Sequence, residues 1–269
     1  MEIAITIDIE KDLGYHDSYL GIDEGLPLVL DILNQNRIRA TFFVSGETAH
    51  YLNQKGALRE IVMRGHEVGS HGFRHTDYRR WSFEKIREEI CTSKSVIEDL
   101  SGISVNGYRS PQFLVSEKVI RAVGECGFRY DSSLPDPSGI SAARVLRHVG
   151  TGDEIIRTIR QAGLQEFPIG SLPVLKIPHG LLWINLAGLG TYQRLFDRMR
   201  HDFLIFYLHG FDLVRQKNRL RLDFMRKVFY LKNQDSIGEL FRELIEFWIR
   251  RGVTFVRLEE RLTSLHFSP

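Results

Sequence analysis

Apolar β-branched runs alternate with amphipathic stretches along almost the whole chain. Ile3–Ile9, Ala40–Val44, Glu67–Ser70, Val105–Tyr108, Phe128–Tyr130, Glu166–Phe167, Phe203–Leu208 and Thr254–Arg257 have the composition of short strands. Between them, Gly21–Asn34, Gly56–Arg64, Ser82–Leu100, Ser116–Cys126, Thr191–His201 and Ser236–Arg251 carry apolar residues at helical spacing. Several of these have readable ends: Ser82 and Ser116 stand at N-cap positions, and Gly102, Gly127 and Gly252 follow the last turns. Such alternation predicts a parallel sheet with helices outside it. With about eight units, the expected form is a distorted (β/α) barrel of seven to eight mostly parallel strands. The alternative, an open doubly wound sheet, lacks its Gly-rich phosphate loop after the first strand. No repeat or low-complexity linker interrupts the pattern, so residues 1–269 are read as a single catalytic domain. Pro135–Gly139 and Phe167–Gly180 are loop-rich and read as a lid or an excursion.

Composition narrows the function. The 36 Lys and Arg against 34 Asp and Glu leave a net charge of +2, which speaks against a dedicated nucleic-acid binder. Cys91 and Cys126 have no CxxC spacing and are expected to be buried free thiols, suited to a reducing compartment. The chain opens directly on a strand without the pattern of a secretory signal, and Gly180–Gly190 is short and glycine-interrupted for a membrane span. The expected location is the cytoplasm, including the inner face of the membrane.

Chemistry-bearing residues sit where strands end. Asp8 and Glu10 share one face of the first strand, because side-chain direction repeats every two residues. His71 and His75, four apart after a strand, suit a divalent metal of the zinc type. One of the two carboxylates completes a His-His-carboxylate site and the other serves as general base; Asp12 is a third acid within reach. Arg109, before a residue pair ending in Pro111, is expected to pair bidentately with a carboxylate and hold the base aimed. Asp131 is a candidate to orient a histidine or an arginine, whereas Ser132 and Ser133 read as strand terminators. His209 ends an apolar run and is placed to donate a proton to a leaving amine.

Taken in order, these stretches resemble the polysaccharide deacetylase superfamily (carbohydrate esterase family 4, the nodulation-protein homology domain). The resemblance is strong from residue 2 to about 135 and looser through His209 to the last strand. Thr6-Ile7-Asp8-Ile9-Glu10 matches the first motif, with Asp8 as base; Ile9 replaces the usual second Asp, as in an Asp-x-acid subgroup whose metal ligand would be Glu10. His71 and His75 match the metal histidines, Arg109 and Pro111 the third motif, Tyr130 and Asp131 the fourth, and Leu208-His209 the fifth. Phe113 stands where the third motif usually has glycine. Ala40–Val44 and Gly65–Gly69 resemble the family's second strand and the lead into its histidine motif.

The resemblance implies a distorted (β/α) barrel that removes acyl groups from sugars with one divalent metal, zinc or else cobalt or nickel. Asp8 would activate water, a backbone N–H near Tyr130 would help the metal stabilise the oxyanion, and His209 would protonate the departing amine. The implied partner is a glycan or lipid-linked sugar bearing an N-acetyl group. Tyr15, Tyr19, Phe113, Trp183 and Tyr192 are candidates to stack on sugar rings, with Tyr130, Pro111 and Trp183 the favoured substrate contacts. The basic and aromatic residues of segment 215–232 suggest peripheral contact with an anionic membrane surface. Rival readings are deformylation of a polyprenyl-linked aminosugar, hydrolysis of a cyclic imide or ureide, and carbohydrate binding without catalysis.

Overall fold

The computed structural model describes residues 1–12, 18–135, 152–199, 201–214, 232 and 236–266. All eight strand candidates are strands, although four of them are only two residues long. They are β1 (Glu2–Ile9), β2 (Thr41–Val44), β3 (Glu67–Ser70), β4 (Gly107–Tyr108), β5 (Tyr130–Asp131), β6 (Gln165–Glu166), β7 (Phe203–His209) and β8 (Thr254–Phe255). Every ladder is parallel, in the order β6-β5-β4-β3-β2-β1-β7, with β8 on the first residues of β1. The sheet curls into a barrel whose ends, β6 and β7, are not joined by a regular ladder. The loop-rich segment after β6 runs between them, touching Pro135 through Ile169 and β7 through a parallel bridge from Gly180 to Tyr207.

Strand parity decides what faces the interior. On β1, Ile3, Ile5, Ile7 and Ile9 pack outward under the helices, so Ala4, Thr6 and Asp8 point inward. On β7, Leu204, Phe206 and Leu208 pack outward, so Ile205, Tyr207 and His209 point inward. The register sets Ala4 beside Ile205, Thr6 beside Tyr207 and Asp8 beside His209. Each buried isoleucine contributes about 1.5–3 kcal/mol relative to exposure. A one-residue slip would turn this row inside out, so the apolar row fixes which carboxylates reach the barrel mouth.

The far end of the barrel is closed by Leu258 and Leu262 of the helix Leu258–His266, against Phe43 and Tyr130. There the buried carboxylate of Glu67 accepts from Tyr130 Oη (2.6 Å), Thr41 Oγ1 (2.7 Å) and the Glu259 N–H (3.0 Å).

The helices follow the amphipathic stretches closely: α1 (Leu26–Gln35), α2 (Gly46–Gln54), α3 (Ala57–Met63), α4 (Phe83–Ser101) and α5 (Glu117–Glu125) occur in the first half. Ser82 and Ser116 accept the expected capping bonds from Lys85 and Val119. Helix α2 was not legible, because its mean hydropathy is low and only Ala49 and Leu52 supply apolar anchors. The cysteines depart from expectation. Cys91 on α4 and Cys126 just after α5 form a disulfide, with Cα atoms 5.1 Å apart. They are neither free nor fully buried; packing of α4 on α5 brings together two positions 35 residues apart. Among the described residues, no helix is long and apolar enough to cross a membrane. Segment 215–232 lies outside the described residues except for Lys232, as does Tyr15.

Candidate metal centre and active site

Glu10, His71 and His75 meet at the barrel mouth. Glu10 follows β1 by one residue and keeps its inward parity, while the histidines occupy the loop after β3. One ligand atom from each of the three lies within 4.8 Å of the other two. Glu10 Oε2 is 2.5 Å from His75 Nε2 and 3.6 Å from His71 Nε2. Gly72, at φ +72°, makes the turn between the histidines, and a Cβ there would sit 2.6 Å from Tyr78 Oη. Burial alone would raise the Glu10 pKa, but His75 and His71 pull it well below the ordinary carboxylate range.

These donors fit a divalent cation. Glu10 Oε2 is buried and has no hydrogen-bond donor of its own. His71 Nδ1 lies 2.9 Å from the carbonyl oxygen of Arg109, so it donates there and leaves the Nε2 lone pair toward Glu10. Two imidazole nitrogens and a carboxylate oxygen form a donor set suited to zinc. Asp12 is elsewhere engaged: it accepts from Ser18 Oγ and from the N–H groups of Leu20 and Gly21 at 2.5, 2.6 and 2.8 Å. Of the two acids, Glu10 is the one the structure brings to the histidines.

Beside this trio, Asp8 is gripped by Arg109, both essentially inaccessible to solvent. Arg109 Nη1 donates to Asp8 Oδ1 at 2.8 Å and to Thr6 Oγ1 at 2.9 Å. The expected bidentate pairing does not occur. The other side of the guanidinium is taken by Ser132, through Nε to its carbonyl and Nη2 to its Oγ, each at 3.0 Å. Phe43 lies under the guanidinium, its ring centroid 4.2 Å from Cζ. One carboxylate oxygen of Asp8 is thus fixed, and Oδ2 faces His209 Nε2 at 4.0 Å.

His209 has a partner that sequence reading passed over. Asp212 Oδ2 accepts from the His209 backbone N–H at 2.8 Å and lies 3.4 Å from its Nδ1. Burial alone would lower the His209 pKa, but Asp212, with Glu10 and Asp8, raises it to about 9. The i,i+3 spacing at the start of a short turn was the available signal. The ring stacks on Phe211 with centroids 4.6 Å apart, leaving Nε2 directed at Asp8.

Other expected roles change. Asp131 contacts neither His209 nor the Arg109 guanidinium directly; Ser133 Oγ donates to its Oδ1 at 2.5 Å, and Glu166 is its neighbour on β6. Burial raises both carboxyls, Asp131 to about 6 and Glu166 well above its usual value, as expected for two acids sharing a proton. Ser132 and Ser133 are therefore more than strand terminators: Ser133 Oγ also accepts from the Ser110 N–H at 2.8 Å. Tyr130 is wholly buried on Glu67, and its N–H donates to the Asn106 carbonyl, so neither its ring nor its N–H faces the site. Pro111 is buried and opens the turn Pro111–Phe113. Tyr192 is a core residue, bonded to His179 and Trp248, and Tyr19 stacks on Tyr51. Trp183 is partly exposed and donates to Tyr207 Oη at 3.0 Å. Tyr207 in turn packs edge-on to Phe113 and His209, making an aromatic wall beside the site.

With this geometry in place, residues 2–130 match the family model described as polysaccharide deacetylase. The chain is 28% identical over 145 residues to a peptidoglycan deacetylase of Helicobacter pylori, covering 49% of each chain. It is 29% identical over 126 residues to the peptidoglycan-N-acetylmuramic acid deacetylase PdaA of Bacillus subtilis, covering 46% of this chain and 44% of the relative. The chain thus spans about half the length of the curated relatives it matches. A family 4 acetyl xylan esterase from Clostridium thermocellum, solved with a cobalt ion, superposes with a TM-score of 0.57 at 19% identity, covering 100% of this chain and 93% of the other. The CE4 domain of a multidomain xylanase from the hindgut metagenome of Trinervitermes trinervoides gives 0.58 at 18%, covering 99% and 92%. The fold is that of the (β/α) barrel deacetylases. The match to the polysaccharide deacetylase family model runs over the segment that carries Asp8, Glu10, His71, His75 and Arg109.

Proposed function

We propose that this protein hydrolyses the N-acyl group, foremost acetyl, of an aminosugar in a polysaccharide or lipid-linked glycan. The observation that carries the reading is the Glu10–His71–His75 donor set beside a carboxylate and an imidazole, Asp8 and His209, 4.0 Å apart. Glu10, His71 and His75 would hold one divalent ion, with zinc the best fit and cobalt or nickel compatible. When bound, the ion supplies Lewis-acid stabilisation of charge on the acyl oxygen and makes water a better nucleophile.

The chain's own groups divide the proton transfers. Asp8 Oδ2 takes the proton from the attacking water, while Arg109 holds Oδ1 and prevents the carboxylate from turning. His209, protonated at neutral pH because Asp212 stands beside it, gives its Nε2 proton to the departing amine. Acetate and a free amino sugar result. Trp183, with Tyr207 and Phe113, offers an aromatic surface on which a sugar ring can stack.

The named relatives act on peptidoglycan, which supports a glycan polymer as substrate class. The Cys91–Cys126 disulfide supports encounter with that polymer in an oxidising compartment, in place of the cytoplasmic site expected from free thiols.

The test is acyl release from free, oligomeric, peptidoglycan-derived and polyprenyl-linked N-acylated sugars, with acetate and formate quantified separately. Acetate from oligomeric or polymeric substrates supports the proposal. Formate from the lipid-linked sugar alone selects the deformylase, and hydrolysis only of cyclic amides refutes the glycan reading.

A further inference from the structure

Ser45 and the first residues of α2 touch every segment that carries a proposed metal ligand. The Ser45 N–H donates to the carbonyl of Ile9, the residue before Glu10, at 3.0 Å. Gly46 and Glu47 N–H groups donate to the carbonyls of Gly72 and Phe73, between the two histidines, at 2.9 and 3.0 Å. The approach is close: a Cβ on Gly46 would come within 2.4 Å of the Phe73 ring. The Glu47 side chain then spans both segments. Its Oε1 accepts from the backbone N–H of His75 at 3.3 Å, and its Oε2 accepts from Lys11 Nζ, next to Glu10, at 2.9 Å.

We propose that Glu47 is a positioning residue for the metal site, holding the Glu10 segment and the His75 loop at a fixed separation. The inference rests on the reading of Glu10, His71 and His75 as ligands. His71 is already held by the Arg109 carbonyl and is almost inaccessible, whereas the His75 side chain is 15% exposed in an irregular loop. His75 is therefore the ligand with most freedom to lose on binding, and fixing its backbone lowers that cost. As an ion pair, Lys11–Glu47 is partly solvated, at 17% and 23% exposure, so it adds little to global stability. Its effect belongs to the geometry of the site.

Zinc and cobalt titrations of the full chain test this, with Glu47→Ala, Glu47→Gln, the charge-balanced double variant Lys11→Met/Glu47→Ala, and His71→Ala as reference. Glu47→Ala is expected to weaken zinc binding by about 10–100-fold, the range seen for supporting groups around metal ligands. It should also alter the visible d–d spectrum of the cobalt form while leaving the melting midpoint of the metal-free protein near wild type. The double variant should show the same two changes, which separates positioning from loss of a nearby negative charge. Wild-type affinity and an unchanged cobalt spectrum in Glu47→Ala, with binding lost in His71→Ala, overturn the Glu47 role and leave the metal site standing. Should Glu47→Ala fail to fold, Glu47→Gln is read by the same criteria, and wild-type values there overturn the proposal. Absence of metal uptake by wild type, or undiminished uptake by His71→Ala, overturns the metal reading and the Glu47 role together.

Discussion

The carbonyl oxygen of Arg109 lies 2.9 Å from His71 Nδ1, while the guanidinium of the same residue lies 2.8 Å from Asp8 Oδ1. One residue at the end of β4 therefore sets both the tautomer of a proposed metal ligand and the orientation of the proposed base. Arg109→Ala should be expensive, because it leaves Asp8 and Ser132 without their partner in a solvent-excluded site. A loss of about 3–5 kcal/mol is expected in urea denaturation. Arg109→Lys should fold better but lose most activity, since an ammonium cannot reach Asp8, Thr6 and Ser132 together. Near-wild-type turnover in Arg109→Lys would contradict the account.

The pair His209–Asp212 gives a pH signature in the metal-free protein. The folded pKa of His209 is about 9 against an ordinary 6.5, so the folded state binds the proton more tightly than the unfolded chain. The resulting stability is fully present below pH 6.5 and is lost as pH rises through about 9. NMR titration of the imidazole should show the high value in wild type and a lower one in Asp212→Asn. A His209 that titrates near its ordinary value in wild type would remove the basis for its role as general acid.

Asp131 and Glu166 work in the opposite sense to most carboxylates. With the Asp131 pKa raised from 3.8 to about 6, its contribution is present below pH 3.8 and disappears as pH rises through about 6. Glu166→Gln should therefore be more stable than wild type at pH 8, by roughly 1–2 kcal/mol, because the amide removes the cost of holding a buried carboxyl protonated above the ordinary carboxylate range. Denaturation at pH 5 and pH 8 checks the sign; greater destabilisation of the variant at pH 8 than at pH 5 would show that the pair does not share a proton.

The two cysteines should give no reaction with a thiol reagent in denaturant unless the protein is first reduced. Reduction is expected to lower stability by about 2–4 kcal/mol, as for a loop of this length. Two free thiols in protein purified from an oxidising compartment would contradict the bond between Cys91 and Cys126.

What the chain revealed before folding follows a physical division. The alternating isoleucines of β1 exposed the parity that puts Asp8 and Glu10 on the inner face, and the apolar run Phe203–Leu208 did the same for His209. These are local periodicities, and they placed the mouth of the barrel well. Contacts that depend on register between distant strands were hidden: Asp131 beside Glu166, Arg109 beside Ser132, and the cysteines across α4 and α5. Aromatic residues were least legible, since Tyr130 and Tyr192 bury their hydroxyls on specific partners while Trp183 stays at the surface of the site. Nothing in their own local sequence distinguishes these fates. Asp212 was legible in principle, at three residues from His209, but its value depends on the turn that follows β7.

The most direct test combines metal content and acetate release on one preparation, before chelation, after it, and after zinc is restored. About one metal per chain is expected, with acetate release from an N-acetylated glycan lost on chelation, regained with zinc, and absent throughout in His71→Ala. Acetate release that survives complete removal of metal, or that is undiminished in His71→Ala, would contradict the assignment of Glu10, His71 and His75 as the centre of the reaction.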